Sequence, residues 1–201
     1  MWLTLIGPPT CKQVAADLLV KERGYKIIGE QLSHDPNFYS QLETLNQRFK
    51  DNIASQEAMT KAEVINLFSF WDTHEVFDKA LHEMEELSDY EFDLMESTYL
   101  NYCPFVEPPH AFIYCKAPPI WIQNRMSFKN ETPNENLIKR VSKHYEDFVE
   151  RVRIPIIDVD ATLPFDQIWE LLSYDVDQIK TAAMATQTMW TRSVFRNGRL
   201  P

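Results

Sequence analysis

Short apolar runs alternate with longer segments of helical periodicity along the chain. Residues 2–6 (WLTLI) form the first apolar run, which stops at Gly7 and two prolines. The next segment places apolar residues, including Leu18 and Leu19, on one helical face, and Gly24 follows it. The pattern therefore predicts a strand, a loop and a helix that ends at Gly24.

The same alternation continues through most of the sequence. Further strands are predicted at residues 25–28, 63–70, 110–116 and 153–161. Further helices are predicted at residues 35–56, 76–84, 118–125, 137–148 and 163–180, with another that begins at Ser88. Asp35 before Pro36 is a favourable helix start, and Ser88 with Glu91 three residues later forms a capping pattern.

Each predicted strand is a continuous apolar run, and helices separate the strands. This arrangement is typical of a parallel sheet that is covered on both faces. We therefore expect an α/β fold, a three-layer sandwich in which a five-stranded parallel sheet is flanked by helices. Ligands in such folds bind at the carboxyl ends of the strands, where Gly7, Gly29, Ser69 and Lys116 would lie.

Composition narrows the classes of partner. The formal net charge is −10 and the sequence pI is about 5.0, which disfavours non-specific binding to nucleic acid or to anionic lipid. The three cysteines form no C-x-x-C pair, and the histidines on helical patterns lack the spacing of metal ligands. We therefore expect neither a disulfide framework nor a metal site.

Two features bear on the compartment. No apolar run approaches the roughly 18 to 20 residues that cross a bilayer. The first predicted strand begins next to the initiator Met1, so we expect no signal peptide and no Arg-rich presequence. These features favour the cytoplasm, but import by internal signals stays open.

Length and composition indicate one domain with a distinct tail. The chain has 201 residues, of which 44% are hydrophobic, enough to bury one core. We predict a domain at residues 1–183 and a docking tail at 184–201. The tail has no Asp or Glu and mixes aromatic residues with arginine, a composition typical of interface centres. Its predicted partner-binding residues are Trp190, Arg192, Phe195 and Arg196, although the tail could instead fold back on its own acidic body.

With the elements placed, the chain resembles the deoxynucleoside kinase family over nearly its whole length. The segments that carry the resemblance are LTLIGPPTCK, YKIIGEQL, DPNFYSQLETLNQRFKD, SFWDTHEVFDKALHEMEELSDYEFDLMESTY, AFIYCKAPPIWIQNRM, HYEDFV and IPIIDVDAT. The fourth is the most specific, because it is similar to the segment that follows the family's Glu-Arg-Ser motif. The resemblance implies a P-loop kinase fold.

The resemblance also implies positions for the functional residues. Gly7 and Lys12 fall in the phosphate-binding loop and Arg125 falls in the lid, so these three are the candidate nucleotide-binding residues. Glu30, at the end of the second strand, falls where the family has its catalytic glutamate. Because the arginine that would steady it is absent, we expect Glu30 to be vestigial and no residue to be catalytic. We expect Lys12, which opens a helix, to be solvated.

The departures from the family fall on residues that carry the chemistry. One residue fewer lies between Gly7 and Lys12 than in the motif G-x-x-x-x-G-K. Cys11 replaces a loop glycine, and Gln13 replaces the hydroxyl that would hold magnesium. The Glu-Arg-Ser motif falls on residues 67–69, which read LFS. Since phosphoryl transfer depends on electrostatic stabilisation, these losses together predict little activity.

Three hypotheses follow. The first is a catalytically inactive member of the kinase fold that serves as a structural subunit of a larger assembly. Its analogue is the deoxynucleoside-kinase-like accessory subunit of mitochondrial respiratory complex I, and this similarity implies a mitochondrial location, protein partners and no required cofactor. The second is an active deoxynucleoside or deoxynucleotide kinase with a divergent loop. The third is a regulator that binds ATP or a dNTP without turnover.

Overall fold

The structure of the protein is a computed structural model that describes residues 1–29, 36–128 and 132–186. The vestigial candidate Glu30 lies outside the described residues. So do the four predicted docking residues of the tail, Trp190, Arg192, Phe195 and Arg196.

The described chain forms a five-stranded parallel sheet in the order β2-β3-β1-β4-β5. The strands are β1 (Trp2–Ile6), β2 (Lys26–Ile28), β3 (Val64–Asn66), β4 (Ala111–Lys116) and β5 (Ile156–Asp160). The predicted α/β fold with five parallel strands is confirmed. The order reverses between β1 and β4, so the chain after β1 lies at the point where parallel sheets bind ligands.

Eight α-helices surround this sheet within the described residues. They are α1 (Pro9–Arg23), α2 (Phe38–Ala58), α3 (Phe70–Asp72), α4 (Lys79–His82), α5 (Asp89–Tyr102), α6 (Pro119–Phe128), α7 (Glu135–Arg151) and α8 (Phe165–Thr186). A π-helical segment, Thr73–Asp78, joins α3 to α4, and a 3₁₀ turn, Cys103–Phe105, follows α5.

Helix ends are set by local capping, and two of the predicted ends are confirmed. Gly24 ends α1 in the left-handed conformation, with φ +69°. Ser88 and Glu91 form the predicted capping box at the start of α5. The start of α2 differs, because Asn37 is its cap and its side chain accepts a hydrogen bond from the Ser40 amide at 3.0 Å. Asp35, the predicted start, lies outside the described residues.

The third strand is shorter than predicted. It ends at Asn66, whereas the apolar run continues to Phe70. The chain turns into α3 because the Ser69 hydroxyl accepts hydrogen bonds from the amides of Trp71 and Asp72, at 3.0 and 3.2 Å. A cap inside an apolar run therefore converts the predicted strand end into a helix start.

The sheet divides the core into two layers. Along β4, Ala111, Ile113 and Cys115 join the cluster that contains α1 and α8, whereas Phe112 and Tyr114 join the cluster that contains α2, α5 and α7. This alternation is the period of two that a strand imposes when both of its faces are covered. All three cysteines of the chain are free and buried.

The last helix passes the predicted domain boundary. α8 continues through Thr186 and so includes Met184, the first residue of the predicted tail. Across the three described ranges, no helix combines the length and the apolar character that a membrane span requires.

Candidate functional site

The loop between β1 and α1 lies at the switch point of the sheet and begins with Gly7, where any side chain would be strained. Gly7 has φ +116°, a conformation that side chains rarely adopt. A Cβ atom at Gly7 would lie 2.3 Å from the carbonyl oxygen of Cys115 on β4. The glycine therefore permits close approach to the neighbouring strand, a packing role that requires no bound phosphate.

Two prolines limit what this loop can offer to an anion. A phosphate-binding loop works by converging backbone N–H groups, and proline has none. Pro8 and Pro9 therefore remove two potential donors directly after Gly7. The Cys11 amide, two residues after Pro9, is committed within the turn, because its N–H donates to the carbonyl oxygen of Pro8 at 2.9 Å. The loop is a poor cradle for phosphate.

Lys12 is buried, so the expectation that it is solvated is wrong. Its exposed fraction is 3%, and its Nζ lies 3.4 Å from Oδ2 of Asp72, which is 1% exposed. Lys12 lies in the first turn of α1, and its side chain contacts the carboxylate of Asp72 at the end of α3. Burial lowers the pKa of Lys12 and raises the pKa of Asp72, while the attraction between the two groups opposes both shifts.

Tyr145 ties this ion pair to the loop. Its hydroxyl lies 2.8 Å from Oδ2 of Asp72 and 3.0 Å from the carbonyl oxygen of Gly7, and it has one proton to share between these acceptors. Tyr145 comes from α7, so three separate elements meet at one buried carboxylate. The network connects Lys12 to the loop, so Lys12 has a structural role.

Phe68 occupies the position that the resemblance gives to the arginine of the Glu-Arg-Ser motif. Lys12 Nζ lies 4.8 Å from its ring centroid and the Arg48 guanidinium carbon lies 4.1 Å from it. Both cations are thus within cation–π distance of one ring. Arg48 also pairs with Asp51 at 3.0 Å. An aromatic ring between two cations fits this place, whereas a third cation would be repelled by both.

The other predicted residues are not brought together with Lys12. Gln13 is exposed and points along α1, where its amide donates to Asp17 at 2.7 Å. Arg125, the candidate from the lid, is exposed and lies over the ring of Trp121, 5.1 Å from the centroid. Gly7 and Lys12 therefore share the buried network, whereas Arg125 contacts Trp121 on α6.

A cavity of about 350 Å³ opens beside this network. Its lining combines Lys12, Gln41, Arg48, Phe68 and Asp72 with apolar residues from the connection after α3, α4, α6 and α7. A cavity of this size that is mostly apolar and has a few convergent polar groups is typical of small-molecule sites. The residues described in the structure include no group of three or more His, Cys, Asp or Glu that could hold a metal ion.

Three members of the site were missed from the sequence, namely Arg48, Asp72 and Tyr145. The signal for Arg48 was its spacing, since Gln41, Leu45 and Arg48 recur at four and three residues and are buried on the same face of α2. Asp72 follows the apolar run of the predicted third strand, and Tyr145 lies within the helix predicted at residues 137–148. Their contacts join distant elements, and no local pattern predicts such contacts.

The order of the strands and the loop at the switch point define an open α/β protein of the kind that binds ligands at the carboxyl ends of its strands. A family model, "Deoxynucleoside kinase", matches residues 28–180. The chain belongs to the deoxynucleoside kinase family. No curated protein sequence matches it.

Solved structures of deoxyadenosine kinase from M. mycoides share the fold. The form with the products dCMP and a flexible dCDP bound has a TM-score of 0.76 and 18% identity, covering 89% of this chain and 100% of that chain. The form with bound dATP has a TM-score of 0.74 and 18% identity, covering 88% of this chain and 100% of that one.

Proposed function

We propose that this protein is a non-catalytic member of the deoxynucleoside kinase family that serves as a structural subunit of a larger protein assembly. The observation that carries the proposal is the burial of Lys12 in an ion pair with Asp72, behind a loop whose two prolines supply no amide donors. A lysine held in this way is directed to a carboxylate of its own chain and not to a phosphate.

The surroundings of the loop support the same conclusion. Phe68 stands where the family's arginine is expected, and Gln13, where a magnesium-binding hydroxyl is expected, is exposed and bonded to Asp17. Stabilisation of developing charge is most of what phosphoryl transfer requires of a protein. Loss of a single cationic finger can lower the rate by about three to five orders of magnitude. Several such losses at once support the proposed lack of turnover.

A phosphotransfer assay tests this proposal. The full chain is incubated with labelled ATP, magnesium and each of the four deoxynucleosides, with the deoxyadenosine kinase of M. mycoides as a positive control. We expect no turnover above roughly 0.01 per second, far below the usual enzymatic range. Faster turnover would overturn the proposal and support the alternative, an active kinase with a divergent loop.

The partner part of the proposal rests on the tail and on resemblance. We propose that residues 184–201 dock on another subunit through Trp190 and Phe195, with Arg192 and Arg196 at the rim. From the sequence resemblance to the kinase-like accessory subunit of mitochondrial respiratory complex I, we propose that this protein lies in the mitochondrion, peripheral to a membrane complex. The cytoplasm is the alternative.

Deleting residues 187–201, which begin after α8, tests the docking role. We expect the truncated protein to keep its melting temperature within a few degrees, as when less than roughly 1 kcal/mol is lost. We also expect it to lose co-purification with respiratory complex I subunits from mitochondria of the native source. A matched control replaces Arg192 and Arg196 by Lys, which keeps the charge and should keep much of the association. Unchanged co-purification after truncation would contradict the role of the tail.

The third hypothesis, nucleotide binding without turnover, has its own measurement. Calorimetry with ATP and with each dNTP should give no saturable heat if the protein needs no nucleotide. Saturable heat without turnover would identify a nucleotide-binding regulator in place of a pure structural subunit.

A further inference from the structure

The cavity beside Lys12 has two chemically different walls. The polar wall comes from α1, α2 and α3 and contains Lys12, Gln41, Arg48 and Asp72. A second part of the lining comes from α4, α6, α7 and the connection after α4, where aliphatic residues outnumber the polar Glu86 and Asn134. The aliphatic residues of this part, called the aliphatic wall, are Leu81, Met84, Ile122, Met126, Leu137 and Ile138. A ligand that satisfies both walls must itself be amphipathic.

The polar wall carries no excess positive charge. Lys12 lies 3.4 Å from Asp72, and Arg48 lies 3.0 Å from Asp51. The remaining charged residue among the described lining is Glu86, which is exposed. A phosphate group would need positive charge that is not already paired, since removing an anion from water is costly without a partner. The charge balance therefore favours an uncharged head group.

The aliphatic wall suits a hydrocarbon body. Leu81, Ile122 and Ile138 are largely buried by the protein, and the part of each that lines the cavity is apolar. Met84 and Met126 are flexible, so they can adapt to ligands of different shape. The volume of about 350 Å³ falls near the lower end of the range of roughly 300 to 1,000 Å³ seen for ligand sites.

We propose that this cavity binds an uncharged amphipathic molecule, with an aliphatic body and one hydrogen-bonding head, in preference to phosphorylated ligands. The body lies against α4, α6 and α7, and the head meets the polar groups of α2 and α3. This inference deepens the proposed function, because it names the ligand class that a non-catalytic site would take.

A head-group series on the unmodified full chain tests the inference. Calorimetry compares 1-octanol, octanoate and octyl phosphate, which share one hydrocarbon body and differ in head charge. We expect 1-octanol to bind saturably and octyl phosphate to bind at least about tenfold more weakly. From 1-hexanol to 1-octanol the affinity should rise about fourfold per CH₂ if the body is buried. ATP and dATP should not displace 1-octanol.

Two matched variants locate the binding site. Leu137→Trp adds bulk to the aliphatic wall and should weaken 1-octanol binding at least about tenfold. Leu100→Trp makes the same change on α5, at a residue that is 46% exposed and outside the cavity lining, and should leave binding unchanged. Melting temperatures of both variants verify folding, and the head-group series decides the question even if Leu137→Trp does not fold.

The outcomes separate this inference from the proposed function. Absence of saturable 1-octanol binding, or octyl phosphate binding as tight as 1-octanol, would overturn the inference while the assay for turnover stays negative. Turnover of a deoxynucleoside would overturn the proposed function whatever the alcohols do. A folded Leu137→Trp variant that binds 1-octanol as tightly as Leu100→Trp does would show that binding occurs elsewhere and would also overturn the inference.

Discussion

The β1–α1 loop and the helical region at residues 70–105 are held in place by different kinds of contact within the same fold. In the helical region, aromatic rings stack from one helix to the next. Phe70 stacks on Tyr99 at 5.0 Å between centroids, His74 on Tyr99 at 4.5 Å, and His82 on Phe92 at 4.4 Å. The loop is instead held by the hydrogen bond from Tyr145 to the carbonyl oxygen of Gly7 and by the ion pair of Lys12 with Asp72.

This difference shows which features of a fold depend on chemistry and which depend on packing. Stacked rings stabilise the helical region whether or not a substrate is present. A buried lysine needs a partner for its charge, whether that partner is a phosphate or a carboxylate. Here Lys12 pairs with Asp72, and Asp72 belongs to the start of the helical region. The loop and the helical region are therefore connected by buried contacts.

The largest expected effect is at this connection between the two regions. Asp72→Ala leaves the Lys12 ammonium buried without its carboxylate and removes one contact of Tyr145. Removing one partner of a buried ion pair costs about 3 to 5 kcal/mol. We expect the free energy of unfolding, measured in urea, to fall by this amount.

A double-mutant cycle supplies the control for this prediction. Lys12→Met removes the charge that Asp72→Ala would strand, so the double variant should be more stable than the sum of the two single effects predicts. Additive effects would show that Lys12 and Asp72 do not act as a pair, and would break the view that the loop is held by the helical region.

A second effect, of intermediate size, concerns the backbone of the loop. Gly7→Ala places a methyl group 2.3 Å from the Cys115 carbonyl oxygen at φ +116°. Strain and overpacking together should cost about 2 to 4 kcal/mol in urea unfolding. Gly24→Ala is the matched control, because Gly24 has φ +69° with nothing within 4 Å of the added Cβ, and it should cost about 1 to 2 kcal/mol. Equal costs would mean that the approach to β4 is unimportant.

The sequence predicted the parallel sheet, most helix positions and the capping box, because these features follow from local periodicity and from local hydrogen bonds. It did not predict that Lys12 is buried, because its partner Asp72 lies sixty residues away along the chain. The cavity was missed for the same reason, since its walls come from elements far apart in sequence. Capping at Ser69 is local, but a continuous apolar run obscured it.

A smaller effect is expected in the helical region, at its capping box. Ser88→Ala removes the hydroxyl that accepts from the Glu91 amide, and a lost helix cap costs about 1 kcal/mol.

Hydrogen bonds from Ser88 lower the pKa of Glu91, so the contribution of the Glu91 carboxylate to the free energy of unfolding is present at neutral pH. That contribution should disappear as the pH falls below the ordinary pKa of Glu, about 4.3. Urea unfolding of wild type and Glu91→Gln from pH 7 to pH 3 checks this, and a stability gap that does not shrink on acidification would contradict it.

The smallest expected effect is that of Gln13→Ser, a substitution that should not produce phosphoryl transfer. Gln13→Ser introduces the hydroxyl that the family uses to hold magnesium, at an exposed position whose present contact is a hydrogen bond to Asp17 at 2.7 Å. A surface change of this kind should alter the free energy of unfolding by no more than about 0.5 kcal/mol. We expect no magnesium-dependent transfer from ATP to any deoxynucleoside above roughly 0.01 per second. The reason is that Lys12 stays paired with Asp72 and that Pro8 and Pro9 still supply no amide donors.

The control variant Gln13→Ala, tested beside Gln13→Ser, should behave the same in both assays. Turnover in Gln13→Ser but not in Gln13→Ala would mean that a single hydroxyl separates the loop from a working site, and the contrast between the two regions would fail.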